Sequence, residues 1–448
     1  MRRILKELDT KQLLSIALPI SVQSLIQSFL GMIDQVMIGQ LGENVVAAVS
    51  LGGRPGFILI YTLSGITAAA SIFASQYEGA GDKSRHAQVM RSTIFGCSFL
   101  VLPFFLAAFF APEILLNIFT NDAAVISAGI GYLRICSLSY IPLIFIMACS
   151  AVLRSTGNAN LPMITGIIAV IVNTGLNALL IFGLFGCPAM GAEGAAIATV
   201  ISYMIEAIIL IVYMQKVAHC GNVLQAMKVR CSKDFIWTFF ITALPAIGNE
   251  LLWALGDSGY TMIYGRIGTE QLAAMALTFP VQGLTVGFFT GLSAAAGIII
   301  GNLLGAGKDK QAYIASWDFF KLCIIGCVAM GLVIIAAAGL YTGFYNVNMQ
   351  VRLLAKHLLI IFAFFLWIKV SNMVILGGVI RSGGQTKYTL FLDVLGTWGI
   401  GIPLGILGAF VFKLDIKIVY VLVSIEEIVR LLLGLIRVKS KKWMKKLV

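Results

Sequence analysis

The chain has 448 residues, of which 59% are hydrophobic and only 12% are charged, and its mean hydropathy is +0.95. A soluble domain carries about 25% charged residues, so most of this chain cannot face water. The net charge of +12 does not indicate a nucleic-acid binder, because the basic residues are concentrated in short segments between long apolar stretches.

Apolar stretches of 18 or more residues recur along the whole chain, and each is long enough to cross a bilayer as a helix. A β-barrel is excluded, since its strands would be about ten residues of alternating polarity. We therefore predict an all-α membrane protein with twelve transmembrane helices. In chain order the predicted spans are 13–38, 45–75, 88–110, 125–152, 161–183, 194–214, 236–264, 271–303, 312–339, 353–379, 388–412 and 417–436.

Lys and Arg are abundant in both terminal segments and in every second loop, and they are rare in the loops between. The positive-inside rule then places both termini in the cytoplasm and the chain in the cell (inner) membrane. The basic tail, residues 439–446, is predicted to be a solvated topology anchor, with contact to anionic headgroups as the alternative.

The second half of the chain repeats the first at an offset of 226 residues, which becomes 227 near the end of each repeat. The matching residues are Ala17-Leu18-Pro19 with Ala243-Leu244-Pro245, Gly39 and Gly42 with Gly265 and Gly268, Gly65 with Gly291, Gly79-Ala80-Gly81 with Gly305-Ala306-Gly307, and Arg154-Ser155 with Arg381-Ser382. Six spans per repeat is an even number, so both repeats have the same orientation and are related by a pseudo-two-fold axis along the membrane normal. We predict an N-terminal six-helix lobe (1–214), a cytoplasmic linker (215–235) and a C-terminal six-helix lobe with a basic tail (236–448).

The repeated Gly-Ala-Gly turns do not indicate a phosphate-binding loop, because no GxxxxGK[ST] pattern and no preceding strand are present. Each turn instead follows the long second helix of its repeat, where a left-handed glycine typically ends a helix. Two lobes with a seam between them are typical of transporters, whose sites lie near the middle of the membrane. A membrane-embedded enzyme would need clustered catalytic side chains, so we expect neither an enzyme nor a cofactor.

Several of these residues together resemble the multidrug and toxic compound extrusion (MATE) transporters. They are Pro19, Gln23, Asp34 and Gly39 of the first span, the Gly-Ala-Gly turns, Arg154-Ser-Thr-Gly-Asn with its twin Arg381-Ser-Gly-Gly-Gln, and Asn173 with Asn177. The resemblance covers essentially the whole chain. It implies a monomeric antiporter that expels lipophilic cationic or drug-like molecules through a central cavity in exchange for Na⁺ or H⁺.

Asp34 is the strongest candidate for the ion-coupling residue. Gln23, Gln27 and Asp34 are spaced by four and seven residues and share one face of the first span, where a polar stripe should face a cavity. Asp34 also matches the acidic residue of the MATE first span, which implies proton or cation binding. A structural carboxylate is the alternative. We further predict that Arg54 pairs with Asp34, either as a coupling partner or as a static ion pair.

Asn173 and Asn177 share one face of the fifth span. MATE proteins often have an acidic residue at the second position, so Asn177 weakens a site with two carboxylates. Amide oxygens can still bind Na⁺, although simple hydrogen bonding between helices is the alternative. Thr199 matches a family threonine more loosely.

The C-terminal lobe offers Glu250 and Asp257 on one face of the seventh span. Lys369 lies at a similar depth, and we predict that it pairs with Glu250. Glu206, Glu426 and Glu427 are expected to be structural, since Arg430 follows Glu426 by one helical turn. The candidate residues of the substrate cavity are Gln23, Gln27, Tyr61, Thr199, Trp253, Met275, Phe279, Phe288 and Asn372.

An alternative function is a lipid-linked oligosaccharide flippase, whose relatives share the duplicated helical architecture. Such a protein should present several arginines or lysines in its cavity to bind pyrophosphate. Arg54 and Lys369 are the main candidates here, and each has an acidic residue as its predicted partner.

Overall fold

The computed structural model describes residues 10–39, 41, 43–118, 123–216, 223–344 and 348–447. Nearly all of them are helical, and this part of the chain contains no β-strand. Most of the basic N-terminal segment 1–12, the predicted repeat glycine Gly42 and residues 217–222 of the linker lie outside the described residues.

The helices of the N-terminal repeat account for the first six predicted spans. They are α1 (Thr10–Gly39), α2 (Glu43–Gly52), α3 (Arg54–Ala80), α4 (His86–Phe110), α5 (Pro112–Asn117), α6 (Ala123–Ser137), α7 (Tyr140–Ser155), α8 (Asn160–Phe182) and α9 (Gly191–Lys216). A short helix, α10 (Val223–Lys228), follows in the linker.

The C-terminal repeat accounts for the other six spans and contains π-helical turns. Its helices are α11 (Lys233–Ile267), α12 (Thr269–Gly305), α13 (Asp309–Gly343), α14 (Met349–Asn372) with the π-helical segment Met373–Ile380, α15 (Thr386–Asp393) with the π-helical segment Val394–Gly401, α16 (Ile402–Ile406) with the π-helical segment Leu407–Val411, and α17 (Ile416–Lys439).

Hydropathy identifies most of these helices as membrane spans. Among the described residues, nine helices are long and apolar enough to cross a bilayer, and the count is ten if α6 and α7, bent by 44° against each other, form one span. The predicted first and last spans correspond to α1 and α17. The middle of α17 carries Glu426, Glu427 and Arg430, which lowers its apolar character.

The contacts group the chain into two compact units. One consists of Met1–Ser21 and Gly248–Val448, and the other of Val22–Ile247. The divisions therefore fall inside α1 and α11, whereas the sequence prediction placed its boundary in the linker 215–235. The two division points are separated by the repeat offset, since Ser21 and Ile247 lie 226 positions apart. Each unit thus contains the first half of the helix that opens the other repeat.

A pair of repeat-related glycines shows why these half-helices pack closely. A Cβ atom on Gly65 of α3 would lie 2.5 Å from the backbone N and Cα atoms of Ile247 in α11. A Cβ atom on Gly291 of α12 would lie 2.8 Å from the backbone N of Ser21 and would overlap the carbonyl oxygen of Ala17 in α1. Only glycine permits backbones to approach this closely. The repeated glycines found in the sequence therefore mark two equivalent helix crossings.

The Gly-Ala-Gly turns end their helices as predicted. Gly81 has φ of 76° and Gly307 has φ of 72°, both in the left-handed region. The N–H groups of Asp82 and Lys308 donate back to the carbonyl oxygens of Tyr77 (3.0 Å) and Leu303 (2.8 Å). This hydrogen bond across six residues is the Schellman arrangement of a helix C-terminus.

Candidate functional site

The unit formed by Val22–Ile247 encloses a polar cavity of about 560 Å³. Helices α1, α3, α7, α8 and α9 all contribute to its wall. Its polar lining residues are Gln23, Gln27, Asp34, Ser64, Thr67, Ser71, Ser150, Arg154, Asn173, Thr199, Ser202, Tyr203 and Glu206. The predicted polar face of α1 therefore does face a cavity.

A chain of hydrogen bonds connects Asp34 to the wall opposite α1. The side-chain amide of Asn177 donates to Asp34 Oδ1 (2.7 Å) and to Asn173 Oδ1 (3.1 Å). Asn173 in turn donates to Thr199 Oγ1 (3.4 Å), whose hydroxyl donates to the carbonyl oxygen of Ala195 (3.0 Å). The structure thus brings together four of the residues selected from the sequence on three different helices.

Burial makes this chain sensitive to the charge of Asp34. Asn173 and Asn177 are 3% and 1% exposed, whereas Asp34 is partly exposed and lines the cavity. A buried amide that loses a hydrogen-bond acceptor is costly. The protonation or cation binding of Asp34 therefore acts directly on the contact between α1 and α8.

The predicted ion pair between Asp34 and Arg54 is not formed. Both residues line a neighbouring cavity of about 440 Å³, but Arg54 is exposed and forms no ion pair with a described residue. Arg54 begins α3 after the break at Gly53, and its long side chain reaches water there. The sequence gives its depth along the helix but not the direction of its side chain.

A second charged pair faces the larger cavity. Arg154 donates through Nη2 to Gln23 Oε1 (2.7 Å), whereas its buried Nε has no hydrogen-bond partner in the described part of the chain. Glu206 is 5% exposed, and its Oε1 likewise has no partner there. The two side chains interact electrostatically without forming an ion pair. Glu206, expected to be structural, is therefore a cavity residue that the sequence prediction underrated.

The other unit, which contains Gly248–Val448, has a smaller cavity of about 80 Å³. Both charged and apolar candidates line it. Among its lining residues are Asp257, Tyr260, Met275, Phe279, Gln282, Lys369, Glu426 and Glu427. Asp257, Met275 and Phe279 were predicted from the sequence, and the position of Lys369 beside two glutamates was not.

Arg430 holds the acidic groups at this cavity. Its guanidinium donates to Asp393 (2.6 Å) and Glu426 (2.9 Å), and lies 3.3 Å from Glu427. Tyr260 donates to the second oxygen of Glu426 (2.7 Å). A buried arginine with several carboxylates offsets their charges and satisfies its own donors.

The π-helical segments shape this cluster. Asn372 and Asp393 are the residues immediately before the first two of these segments. Asn372 donates to Glu427 Oε2 (2.7 Å), and a Cβ atom on Gly396 would lie 2.6 Å from Cδ of Arg430. π-helical turns frequently occur at functional sites, where they re-aim side chains. Asn372 therefore belongs to the acidic cluster and does not line the cavity as predicted.

The predicted pair between Glu250 and Lys369 is also not formed. Glu250 instead pairs with Arg381 at 3.3 Å, and both side chains are partly buried. Lys369 lies at a similar depth along the chain but faces the α17 glutamates. Depth alone therefore could not distinguish the two basic residues.

The two repeats use the same positions for these arginine contacts. Arg154 contacts Gln23 across 131 residues, and Arg381 contacts Glu250 across 131 residues. The arrangement is thus duplicated, with an amide in one copy and a carboxylate in the other.

Three aromatic candidates lie outside these two cavities. Tyr61 packs against Phe57, with ring centroids 4.6 Å apart, while Trp253 and Phe288 are 43% and 41% exposed. In the described part of the chain, no group of three or more His, Cys, Asp or Glu residues has the arrangement of a metal site.

Comparison with known proteins gives one family. The MatE family model matches residues 19–179 and again residues 245–407. The two matches start 226 residues apart and together cover more than half of the chain, in agreement with the internal repeat.

Two curated relatives from Bacillus subtilis (strain 168) are each 26% identical to this chain. The uncharacterized transporter YisQ aligns over 442 residues, which is 98% of this chain and 96% of YisQ. The probable multidrug resistance protein YoeA aligns over 416 residues, which is 90% of this chain and 88% of YoeA.

A solved structure of the outward-facing conformation of a multidrug resistance MATE family transporter of the MOP superfamily has the same fold. Its TM-score is 0.87 at 17% identity, with 96% of each chain covered. That fold has twelve transmembrane helices in two lobes.

Proposed function

Because this chain belongs to the MatE family of membrane transporters, we propose that it exports lipophilic cationic or drug-like molecules by antiport of a cation. The proposed mechanism is alternating access of the two lobes. It operates in the cell (inner) membrane with both termini in the cytoplasm, and the working unit is a monomer.

The observation that carries this proposal is the hydrogen-bond chain from Asp34 through Asn177 and Asn173 to Thr199. An ionised side chain within a membrane span costs about 2.5–3.5 kcal/mol on insertion scales, so its presence calls for a reason. The reason proposed here is that Asp34 exchanges a cation with water in the cavity. The amides of α8 then register its charge.

We propose H⁺ as the coupling ion. Asp34 interacts with neutral amides, and proton binding requires only one carboxyl group. Na⁺ would need several oxygen ligands, for which Asp34 and the unpartnered Oδ1 of Asn177 are the available donors. Both ions would compete for the same carboxylate, which is the chemical basis of exchange with a cationic substrate.

The same cavity supplies the features that a lipophilic cation needs. Asp34 and Glu206 attract positive charge, and Met147 and Tyr203 offer soft and flat surfaces. Arg154 is the single Lys or Arg among the lining residues, and it is held by Gln23. This composition supports export of organic cations over a flippase that binds pyrophosphate.

The test is ethidium efflux from proteoliposomes under an imposed pH gradient or an imposed Na⁺ gradient. We expect the pH gradient to drive efflux in the wild type. Asp34→Asn is expected to lose that response while the protein still inserts and remains folded. Glu250→Gln serves as the comparison, because Glu250 is neutralised by Arg381.

Two outcomes would contradict the proposal. If the Na⁺ gradient alone drives efflux, the coupling ion is wrong. If neither gradient moves ethidium in the wild type, or if Asp34→Asn responds to the pH gradient like the wild type, secondary active export through Asp34 is wrong.

A further inference from the structure

The residues that follow α17 form a docked turn instead of a solvated tail. Trp443 is fully buried, and its indole N–H donates to the carbonyl oxygen of Val438 (3.2 Å). Lys441 has φ of 58°, in the left-handed region, and reverses the chain so that it packs back on the same unit. A Cβ atom on Gly383 would overlap the carbonyl oxygen of Trp443. The expectation of a solvated anchor is therefore corrected.

This docked turn, residues 439–446, presents its lysines outward. Four of them, Lys439, Lys441, Lys442 and Lys446, are exposed, and none forms an ion pair with a described residue. The ammonium group of Lys441 lies 4.8 Å from the ring centroid of Tyr313, near the start of α13. We name residues 439–446 the basic turn.

Other exposed lysines of the same unit lie close to the basic turn in the chain or in space. Lys310 lies three residues before Tyr313, and Lys387 lies two residues after Gln385, which accepts a hydrogen bond from Arg437 (2.6 Å). The fold thus brings basic residues from three separate segments to one surface. A surface of this kind attracts anions.

The position of the basic turn along α17 indicates which anion it meets. Leu432 and Ile436 on α17 are 57% and 63% exposed and form part of the surface of a membrane span. Lys439 follows Ile436 by three residues, which is about 4.5 Å along a helix. Buried Trp443 keeps the following lysines near this level. Lysines that follow an apolar, lipid-facing surface this closely lie at the depth of phospholipid headgroups.

We propose that the basic turn binds the headgroups of anionic phospholipids. The phosphate of the lipid is recognised by lysines whose position is fixed by Trp443, so the surface is preformed. The site is independent of the cavity of Val22–Ile247, and the proposal does not rest on the proposed transport function.

The test uses the purified full-length protein in detergent, titrated with dioleoylphosphatidylglycerol or with dioleoylphosphatidylcholine. Bound lipids are counted by native mass spectrometry, and thermal unfolding is followed in parallel. We expect the anionic lipid to bind and to raise the unfolding temperature, and the zwitterionic lipid to do neither. Each lysine near an anionic surface contributes about fivefold in affinity, so the double variant Lys441→Gln/Lys442→Gln should bind phosphatidylglycerol about 25-fold more weakly.

A matched control removes two charges at the other end of α17. Lys413 and Lys417 are also exposed, and the double variant Lys413→Gln/Lys417→Gln should keep the wild-type affinity. Trp443→Ala keeps every lysine but releases the turn, and we expect it to bind phosphatidylglycerol several-fold more weakly.

Three results would overturn the proposal. They are equal loss of binding in both lysine double variants, unchanged binding in Lys441→Gln/Lys442→Gln, and an equal rise in unfolding temperature with inorganic phosphate in place of the lipid. The last result would identify a site for free phosphate instead of a lipid.

Discussion

The two repeats place an arginine at equivalent positions and give it different partners. In the N-terminal repeat, Arg154 contacts the neutral Gln23, and the acidic residues Asp34 and Glu206 face the cavity without an ion pair. In the C-terminal repeat, Arg381 contacts the acidic Glu250, and Arg430 neutralises three further carboxylates.

This difference indicates a division of labour within a duplicated fold. Carboxylates without a cationic partner can gain and lose a proton or cation in the cavity, whereas carboxylates held by arginine keep their charge. The N-terminal half is thus suited to exchange, and the C-terminal half to maintaining a fixed arrangement of helices.

The largest expected effect removes the neutralising cation. Arg430→Met leaves Asp393, Glu426 and Glu427 without their partner, and breaking a buried ion pair costs about 3–5 kcal/mol. We expect a large fall in thermal stability, measured by the unfolding temperature of the purified protein. Arg154→Gln should cost less, because Gln23 carries no charge. Equal losses in the two variants would break the comparison between the repeats.

The next effect concerns the two helix crossings, where the repeats are expected to behave alike. Gly291→Ala and Gly65→Ala each place a Cβ against a backbone, and overpacking costs about 1–3 kcal/mol. The matched control is Gly283→Ala in α12, because a Cβ there meets nothing within 4 Å. That control should stabilise the helix by about 0.5–1 kcal/mol. Thermal unfolding of all three variants measures the difference.

A transport measurement separates the exchanging carboxylate from the fixed ones. Asp34→Asn should lower efflux driven by a pH gradient at least about tenfold, which corresponds to about 1.4 kcal/mol. Glu426→Gln should retain the dependence of efflux on the gradient, because Arg430 and Tyr260 already fix that carboxylate. Loss of pH dependence in Glu426→Gln with retention in Asp34→Asn would reverse the assigned roles.

The smallest effect exchanges the partners of the two equivalent arginines. Gln23→Glu gives Arg154 a carboxylate, and we expect about 1 kcal/mol of added stability. Glu250→Gln should cost less than about 1 kcal/mol, since that ion pair is partly exposed. The unfolding temperatures of the single and double variants test whether the two sites are independent. Opposite signs for both changes would contradict the equivalence of the sites.

The fold was predictable from the sequence because local features determine it. Hydropathy sets the number and length of the spans, and the glycine turns end helices wherever they occur, as at Gly81 and Gly307. The offset of 226 residues was visible without any structure. What the sequence did not provide was the exchange of half-helices, because a linker rich in charge looks like a boundary whichever helices pack across it.

The candidate site was predictable only one helix at a time. Periodicity correctly placed Asp34 on a cavity-facing stripe and Asn173 with Asn177 on one face. It did not identify the partner of Asp34, since Asn177 is 143 residues away and contact depends on how the helices pack. The same limit made Arg54 and Lys369 wrong as partners, because a basic residue at the right depth can point in another direction.

The half-helices exchanged between the compact units bear on how the fold originated. Residues 1–21 complete the unit that otherwise consists of 248–448, and residues 233–247 complete the other. A single ancestral copy folding alone would have left that docking surface uncovered. The gene that was duplicated therefore encoded a chain that already assembled as a homodimer by swapping its first half-helix, and fusion made that swap intramolecular. For the same reason, fragments cut at the linker should regain the fold only when both are produced together.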